Sequence, residues 1–362
     1  MHNRPNKKIV FWFVLSLIPV VFCLAVLEGW YAYGKWTFTS HFCSRFSQLD
    51  DEIGWTHKPN VSSCMGTHGK FIRSHVYHES PVFTDVNGFR SAEPGGESAK
   101  NAVMFIGDSH TFGYMVPYED SFPGWYGRLT GQPVVNLASP AYSSAQAILM
   151  ARRWVDELAP KALVYFDMGF WERGVCTGSA RPTAILKPCY WVRPGQETEL
   201  ILPPAGHVRS MARFGLRPGG MVGAGEDTWS YFLISRPVSK IRQMFVRLGL
   251  ASGMGNDFRS TAQDSKVVPH AVMLDLLTIA AHRKIPLVFV EARENYTEIL
   301  NQIDPRLRKW LIFIDFPTWQ GKIVEVAEHL PEGQFIVPHD GHYASGTYKL
   351  LAELIASRLP LQ

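Results

Sequence analysis

Short apolar runs alternate with longer amphipathic stretches from residue 101 to the C-terminus. The runs typical of buried strands are Val103 to Ile106, Val134 to Leu137, Ala162 to Phe166, Pro286 to Val290 and Gln334 to Val337. The helical stretches lie near Phe122 to Leu129, Ser144 to Leu158, Ala271 to Arg283 and Gly321 to His329, and Tyr343 to Arg358 closes the pattern. Strands that alternate with helices predict an α/β fold with a parallel sheet and right-handed crossovers.

Residues 174 to 268 interrupt this alternation. They are rich in Gly, Pro and Arg. An insertion this long between core elements is more often a cover on the substrate side of a domain than a featureless loop. We therefore predict one α/β domain over residues 101 to 362 that carries this insertion.

The N-terminus has the pattern of a membrane anchor. Residues 1 to 8 are polar and basic, and Ile9 to Leu27 follows without a charge. At about 1.5 Å per residue, a helix of this length nearly spans a hydrocarbon core of about 30 Å. Basic residues before the span place the N-terminus in the cytoplasm and the remainder outside. A cleaved signal peptide is the alternative, but the run is long for one and no small-x-small cleavage site follows it.

Composition excludes one class of partner and indicates the compartment. The chain is 46% hydrophobic and 19% charged with a net charge of +4, so nucleic-acid binding is not indicated. Four cysteines follow the apolar segment and fit an exported protein: Cys43, Cys64, Cys176 and Cys189. We favour the sequence-local pairs, Cys43 with Cys64 and Cys176 with Cys189, with buried free thiols as the alternative. No Cys-x-x-Cys or His-rich spacing indicates a metal, and no cofactor is expected.

The candidate chemistry begins where the first predicted strand of the domain ends. The chain reads Gly107, Asp108, Ser109 directly after that strand, and open α/β sheets bind ligands beyond the carboxyl ends of their strands. A serine is a poor nucleophile unless a base takes its proton, so a histidine and an orienting carboxylate are needed elsewhere. Asp340 and His342, just before the last helix, offer both.

These two blocks resemble the SGNH/GDSL hydrolase family, membrane-anchored bacterial type, over about residues 50 to 362. The resemblance implies a three-layer α/β/α flavodoxin-like fold after one transmembrane helix, with residues 28 to 100 as an exported leader and linker. It also implies a triad in which Ser109 is the nucleophile, His342 the general base and Asp340 the group that orients His342. Ser109 would begin a helix whose amides favour a developing anion.

The oxyanion hole departs from the family pattern. The Ser109 amide can be one donor, and the second block, Asn136 to Tyr142, places Ala138 where the family usually has glycine. After the strand Ala162 to Phe166 the family usually supplies an asparagine side chain, and here none follows. Trp171 through its indole N–H or Arg173 through its guanidinium can substitute, and the spacing does not choose between them.

The leader carries a second resemblance to anchored members of the family. Asn87 and Gly88 form a turn signal, followed by Phe89 and Arg90. We predict that Phe89 packs under the edge of the sheet and that Arg90 reaches a carboxylate.

The resemblance implies a serine ester hydrolase or O-acyltransferase in the bacterial inner membrane, with its domain in the periplasm. Its partner would be an acylated or acyl-accepting carbohydrate, and acetyl groups would pass through an acyl-Ser109 intermediate. The alternative is a catalytically retired protein of the same fold that binds glycan or assists polysaccharide assembly. The altered oxyanion blocks favour that alternative.

Overall fold

A mixed eight-stranded sheet runs through the part of the chain that the computed structural model describes. The described residues are 12, 15–19, 21–23, 25–26, 46–68, 76–168, 188–191, 198–202, 267–292, 296–327, 329–337 and 342–360. In order across the sheet, its strands are β12 (Leu311–Ile314), β11 (Leu287–Glu291), β8 (Ala162–Asp167), β6 (Val103–Ile106), β7 (Val134–Asn136), β5 (Arg90–Ser91), β4 (Val76–Thr84) and β3 (Ser62–His68).

The parallel part of the sheet contains four strands predicted from the apolar runs and a fifth, Leu311–Ile314, that was not predicted. Its members are β6 (Val103–Ile106), β7 (Val134–Asn136), β8 (Ala162–Asp167), β11 (Leu287–Glu291) and β12 (Leu311–Ile314). Counted along the chain, they lie in the order 2-1-3-4-5, with all neighbours parallel. This is the flavodoxin-like order, in which the topological switch point lies between the first and third strands. Here the switch point lies between β6 and β8.

Helices cover both faces of this sheet, which confirms the predicted three-layer α/β arrangement. Among the described residues from 109 onward, the α-helices are α1 (Ser109–Phe112), α2 (Phe122–Thr130), α3 (Ser144–Leu158), α4 (Val267–Arg283), α5 (Thr297–Leu300), α6 (Pro305–Arg308), α7 (Phe316–Ala327), α8 (Glu332–Phe335) and α9 (Ser345–Arg358). Buried side chains of α3 and α4 form the core on one face, and those of α2, α7 and α9 form the core on the other. Strands enclosed on both faces are continuously apolar, as β6 is throughout and β11 is until its last residue, Glu291.

Local signals explain where the main helices begin and end. The Ser121 hydroxyl accepts the Gly124 N–H at 3.2 Å to cap α2, which ends at Gly131 in a left-handed conformation with φ of 68°. At the start of α3, the side-chain carbonyl of Gln146 accepts the Ser143 N–H at 3.0 Å, as in a capping box.

The leader extends the sheet. β3 (Ser62–His68), β4 (Val76–Thr84) and β5 (Arg90–Ser91) add antiparallel strands beside β7. A separate hairpin, β1 (Ser47–Asp50) and β2 (Gly54–His57), precedes them. The sequence predicted a parallel sheet. The observed sheet is mixed because the leader adds three antiparallel strands to it.

The far edge of the sheet differs from the prediction. Gln334 to Val337 was predicted as a strand, but Glu332–Phe335 is a helical turn and only Ile336 bridges to Tyr343. The edge strand is β12, which pairs with β11 from Leu311 to Ile314. A short apolar run does not by itself distinguish a strand from a helical turn.

The helix predicted at Gly321 to His329 is α7, which begins earlier, at Phe316, and ends at Ala327. The Asp315 carboxylate accepts the Thr318 N–H at 3.0 Å, and Pro317 occupies the first turn. Asp followed by Pro two residues later is a helix-start signal that the apolar pattern alone missed.

Several predictions fall mainly on residues outside the described ranges. In the predicted anchor, the described residues between 12 and 26 are helical, and apolar side chains such as Ile18 and Phe22 are exposed. Within the described ranges, no helix is long and apolar enough to span a membrane. Of the insertion, the described parts are the hairpin β9 (Cys189–Trp191) and β10 (Glu199–Ile201) and the beginning of α4. Cys64 is in a disulfide, whereas Cys43 and Cys176 lie outside the described residues.

The docking of the leader gives a test of the fold. Gly88 has a φ of +85°, and a Cβ there would lie 2.4 Å from the His57 carbonyl oxygen; Gly131 has a φ of +68° with nothing within 4 Å. Left-handed backbone costs a non-glycine residue about 1–2 kcal/mol. We expect Gly131→Ala to lower the free energy of unfolding by about that amount and Gly88→Ala to lower it further, measured by urea denaturation. Equal losses for the two variants would contradict this packing.

Candidate active site

The turn after β6 presents Ser109 at the switch point. Gly107 has a φ of +152°, and a Cβ there would lie 2.3 Å from Thr111 Oγ1, so only glycine fits. The Asp108 carboxylate accepts the His110 N–H at 2.9 Å and begins the single turn α1. Gly113, with a φ of 76°, ends it. Ser109 is thus held in a tight turn where a parallel sheet of this order opens its crevice.

The structure brings Ser109 and His342 together. The distance from His342 Nε2 to Ser109 Oγ is 2.9 Å, across 233 positions of the chain. Ser109 is buried, with 6% of its surface exposed, whereas His342 is half-buried. This is the nucleophile-to-base distance that acyl transfer requires.

Backbone hydrogen bonds join the two ends of the loop that carries His342 to each other. The Val337 N–H donates to the His342 carbonyl at 2.8 Å, and the Ala344 N–H donates to the Phe335 carbonyl at 3.0 Å. Directly after the loop, Ser345 Oγ donates to Asp120 Oδ1 at 2.7 Å and accepts the indole N–H of Trp125 at 3.1 Å. The first turn of α9 is therefore fixed to α2, and His342 with it.

Two aromatic residues that the sequence analysis did not single out orient the imidazole. The ring centroid of His342 lies 4.9 Å from that of His110 and 4.8 Å from that of Tyr114. His110 also lies 4.9 Å from Tyr343, which completes a cluster of rings around the base. Their only sequence signal is position: His110 follows the nucleophile and Tyr114 follows the turn. Neighbouring rings at this distance restrict the orientations that His342 can adopt.

Three predicted participants lie outside the described residues. They are Asp340, predicted to orient His342, and Trp171 and Arg173, predicted as substitute oxyanion donors. Their roles stay predictions.

The two predicted backbone oxyanion donors differ in whether their N–H groups already make a hydrogen bond within the protein. Ser109 is the first residue of α1, where helical geometry leaves an N–H without an intrahelical acceptor. The Ala138 N–H instead donates to Asn136 Oδ1 at 3.1 Å, while Asn136 Nδ2 donates to the Thr111 carbonyl at 2.9 Å. Ala138 can therefore serve an oxyanion only if it shares or gives up its bond to Asn136. Because α1 is a single turn, the Ser109 amide contributes as a hydrogen-bond donor more than through a helix dipole.

The end of β8, where the family usually continues to an asparagine, is acidic. Asp167 is buried, and the Tyr165 hydroxyl lies 3.2 Å from Asp167 Oδ1 and 2.9 Å from Ser144 Oγ. Burial first, and then the Asp167 charge, raise the pKa of Tyr165 well above its ordinary value, so this hydroxyl keeps its proton. A cavity of about 10 Å³, room for about one water, lies between Asp108 and Asp167. The Asp167 side chain carries no amide N–H, so it does not reproduce the donor that an asparagine would supply.

Arg90 packs against the turn that carries Ser109. Its buried guanidinium donates to the carbonyls of Pro81 at 2.8 Å and Val116 at 3.1 Å, and lies 5.0 Å from the Phe112 ring centroid. The predicted carboxylate partner is thus replaced by two carbonyl oxygens. Burial lowers the pKa of Arg90 to about 10, which still leaves it charged at neutral pH.

The leader holds the loop that carries Ala138. The hydrogen bonds involved, which we call the leader clamp, are Trp55 Nε1 to Ser139 Oγ at 3.2 Å, His57 Nε2 with Ser139 Oγ at 2.9 Å, Tyr142 Oη to the Trp55 carbonyl at 2.6 Å and Gln146 Nε2 to the Ile53 carbonyl at 2.8 Å. All are buried. A buried polar network with its partners in place rigidifies the segment that it joins.

The structure also bears on metal binding. Among the residues that it describes, no group of three or more His, Cys, Asp or Glu side chains is placed to hold a metal ion.

The chain is similar to a solved structure whose description carries the name of the family that the motifs resemble. No family model and no curated protein match the chain. Among solved structures, the chain is similar to one described as a lipolytic protein of the G-D-S-L family from Desulfitobacterium hafniense DCB-2. The identity is 12% and the TM-score 0.33, over 72% of this chain and 100% of that one. At this TM-score the match carries no argument about substrate or reaction, and the contact between Ser109 and His342 remains the basis for a function.

The leader clamp predicts a pH dependence of stability. Burial lowers the pKa of His57 to about 3, against about 6.5 in an unfolded chain. Between those values only the unfolded state binds the proton, so stability is lost as the pH falls through this window, by up to about 1.4 kcal/mol per pH unit. We expect the loss between pH 7 and pH 5 to be smaller in His57→Gln than in the wild type, measured by urea denaturation. Parallel pH profiles would show that His57 is not buried as a neutral ring.

Proposed function

We propose that this chain is a serine ester hydrolase or O-acyltransferase that acts through an acyl-Ser109 intermediate. The observation that carries the proposal is the 2.9 Å contact between Ser109 Oγ and His342 Nε2 at the switch point of the sheet. Ligands of open α/β sheets bind in that crevice. The esterase-type architecture and the nucleophile-base pair therefore coincide at one place.

The reaction follows from this geometry. As Ser109 Oγ attacks the ester carbonyl, His342 Nε2 takes the hydroxyl proton and then returns it to the leaving alcohol. The acyl group is left on Ser109. A second oxygen nucleophile then gives its proton to His342 and takes the acyl group, and His342 returns that proton to the departing Ser109 Oγ. Water as that nucleophile makes the protein a hydrolase, and a sugar hydroxyl makes it a transferase.

The supply of oxyanion donors sets the expected rate. The Ser109 amide is placed to be one donor, and Ala138 joins it when Asn136 Oδ1 shares its hydrogen bond. Losing one such donor in a serine hydrolase costs about 2.7–4 kcal/mol in the transition state. We therefore propose an enzyme that is slow until substrate binding moves the Ala138 amide to the oxyanion. We also propose that Asp340 orients His342 and that Trp171 or Arg173 is a further oxyanion donor.

The substrate class and the location rest on the sequence. The motifs resemble those of anchored family members that act on acyl groups of exported polysaccharides, so the proposed substrate is an acetylated or acetyl-accepting carbohydrate. The uncharged segment from Ile9 to Leu27 after a basic N-terminus supports a single-pass inner-membrane anchor with the domain in the periplasm.

A non-catalytic role is the second candidate. The Ala138 amide donates to Asn136 Oδ1, and an acidic residue ends β8. A catalytically inactive protein of this fold can keep both features, because neither impairs folding. In that case the crevice binds an acylated glycan without cleaving it.

Labelling and hydrolysis separate these two functions. We expect a fluorophosphonate probe to label the wild type and the control Ser357→Ala, whose serine lies exposed on α9, but not Ser109→Ala.

Loss of a general base typically lowers the rate by about 10² to 10⁴, so His342→Ala should hydrolyse p-nitrophenyl acetate that much more slowly than the control. Acetylated and bare polysaccharide, assayed in parallel, distinguish hydrolysis from transfer. Absence of labelling in folded wild-type protein favours the binding function.

The anchor has its own test. We expect the full chain to stay in the membrane fraction after alkaline carbonate washing, and its domain to be digested by protease added to spheroplasts but not to intact cells. A soluble mature form that begins near residue 30 would instead show a cleaved signal peptide.

A further inference from the structure

A second cavity lies between the leader and α3, away from Ser109. Its volume is about 170 Å³, and its walls come from the hairpin β1–β2, the turn from residue 87 to 89 and one side of α3. A cavity of about 150 Å³ can hold a benzene ring, so this cavity has room for a molecule of about that size. It suits one small ring rather than an extended chain.

The floor of this cavity is rigid. It includes His57 and Tyr142, two members of the leader clamp, and Gly88, whose missing side chain leaves room beside the His57 carbonyl. Leu137 and Met150 add buried apolar surface. A pocket with a buried, hydrogen-bonded floor keeps its shape without a ligand and loses little conformational entropy on binding.

The charges around the cavity are already balanced. Arg153 donates to both carboxylate oxygens of Asp50, at 2.6 and 3.0 Å, and to Glu52 at 2.6 Å. Burial is the largest single influence and opposes ionisation of Asp50, but the hydrogen bonds from Arg153 and from the backbone N–H groups of Ile53 and Glu52, together with the Arg153 charge, outweigh it and lower the pKa of Asp50. His57 is neutral near pH 7. An anionic ligand would therefore meet a guanidinium whose charge is already balanced by two carboxylates.

The rim combines oxygen acceptors with an aromatic ring. Gln48 Nε2 donates to the His57 carbonyl at 3.2 Å and Asn87 Nδ2 to Ser98 Oγ at 3.0 Å, so their side-chain carbonyl oxygens are the atoms left to accept from a ligand. Trp154 is half-buried at the same rim, and its ring stands edge-to-face on Phe89 at 4.9 Å. Acceptors beside an aromatic ring suit a ligand with hydroxyl donors around an apolar ring face.

We propose that this cavity is a binding site for a neutral sugar ring, separate from the acyl-transfer crevice. The ring packs on Trp154, and its hydroxyls donate to the side-chain carbonyl oxygens of Gln48 and Asn87 and to Asp50 Oδ2, which accepts one hydrogen bond from Arg153. Through His57 and Tyr142, the occupied site contacts the leader clamp and so the loop that carries Ala138. The site does not depend on the reaction at Ser109.

Saturation-transfer NMR on the full chain tests the proposal, with methyl β-glucopyranoside and N-acetylglucosamine as probes. Acetate serves as the anionic comparison and ethanolamine as the cationic one. The variants are Trp154→Ala, Gln48→Leu, which keeps the side-chain volume but removes the amide, and Ser109→Ala. Trp125→Ala is the matched control, because Trp125 is half-buried on α2, on the other face of the sheet. Near-ultraviolet circular dichroism checks that each variant is folded.

We expect sugar-ring protons to receive saturation in the wild type, Ser109→Ala and Trp125→Ala, and the sugar affinity to fall at least about tenfold in folded Trp154→Ala and Gln48→Leu. Unchanged binding in both cavity variants would place the sugar elsewhere and overturn the proposal. Loss of binding in Ser109→Ala alone would assign the sugar to the crevice and also overturn it. Stronger binding of acetate or ethanolamine than of the sugars would refute the neutral-ligand assignment.

Discussion

The hydrogen bond between Ser109 and His342 depends on the order of strands in the sheet. β6 is central, so its carboxyl end opens into the crevice between β6 and β8, and Gly107 turns the chain there without steric conflict. His342 reaches the same place from a loop that is fixed through Ser345 to α2. Two segments 233 positions apart thus meet because α2 and α9 pack on one face of the sheet. A change that loosens this packing would separate the pair without touching either residue.

The leader contributes more than an approach to the domain. Three of its strands extend the sheet, and its hairpin is joined to the loop after β7 by buried hydrogen bonds. That loop carries Ala138, whose amide determines how many donors an oxyanion would meet. The leader clamp holds this loop, and Asn136 Oδ1 accepts the Ala138 N–H. A local rearrangement that releases this N–H would give an oxyanion its second backbone donor. The same clamp forms the floor of the cavity beside α3, which connects the two sites physically.

Periodic features of the sequence predicted most of the fold. The runs around Val103 and Ala162 and the pattern of Ser144 to Leu158 each gave elements that the structure contains, because burial on both faces of a strand or one face of a helix dictates them. The last strand was misplaced to Gln334, since a short apolar run fits a helical turn as well as an edge strand. The serine and histidine were found by motif. His110, Tyr114 and the pairing of Ser139 with His57 were not, because contacts between distant segments leave no local pattern.

The most direct measurement of the central claim is mass spectrometry of the wild-type protein quenched with acid during turnover of p-nitrophenyl acetate. The account predicts an acetyl group on the peptide that contains Ser109, more of it at early times than in His342→Ala, and none in Ser109→Ala. An unmodified Ser109 peptide in folded, substrate-exposed protein, or acetylation only at lysines, would contradict the claim that this serine and this histidine act together.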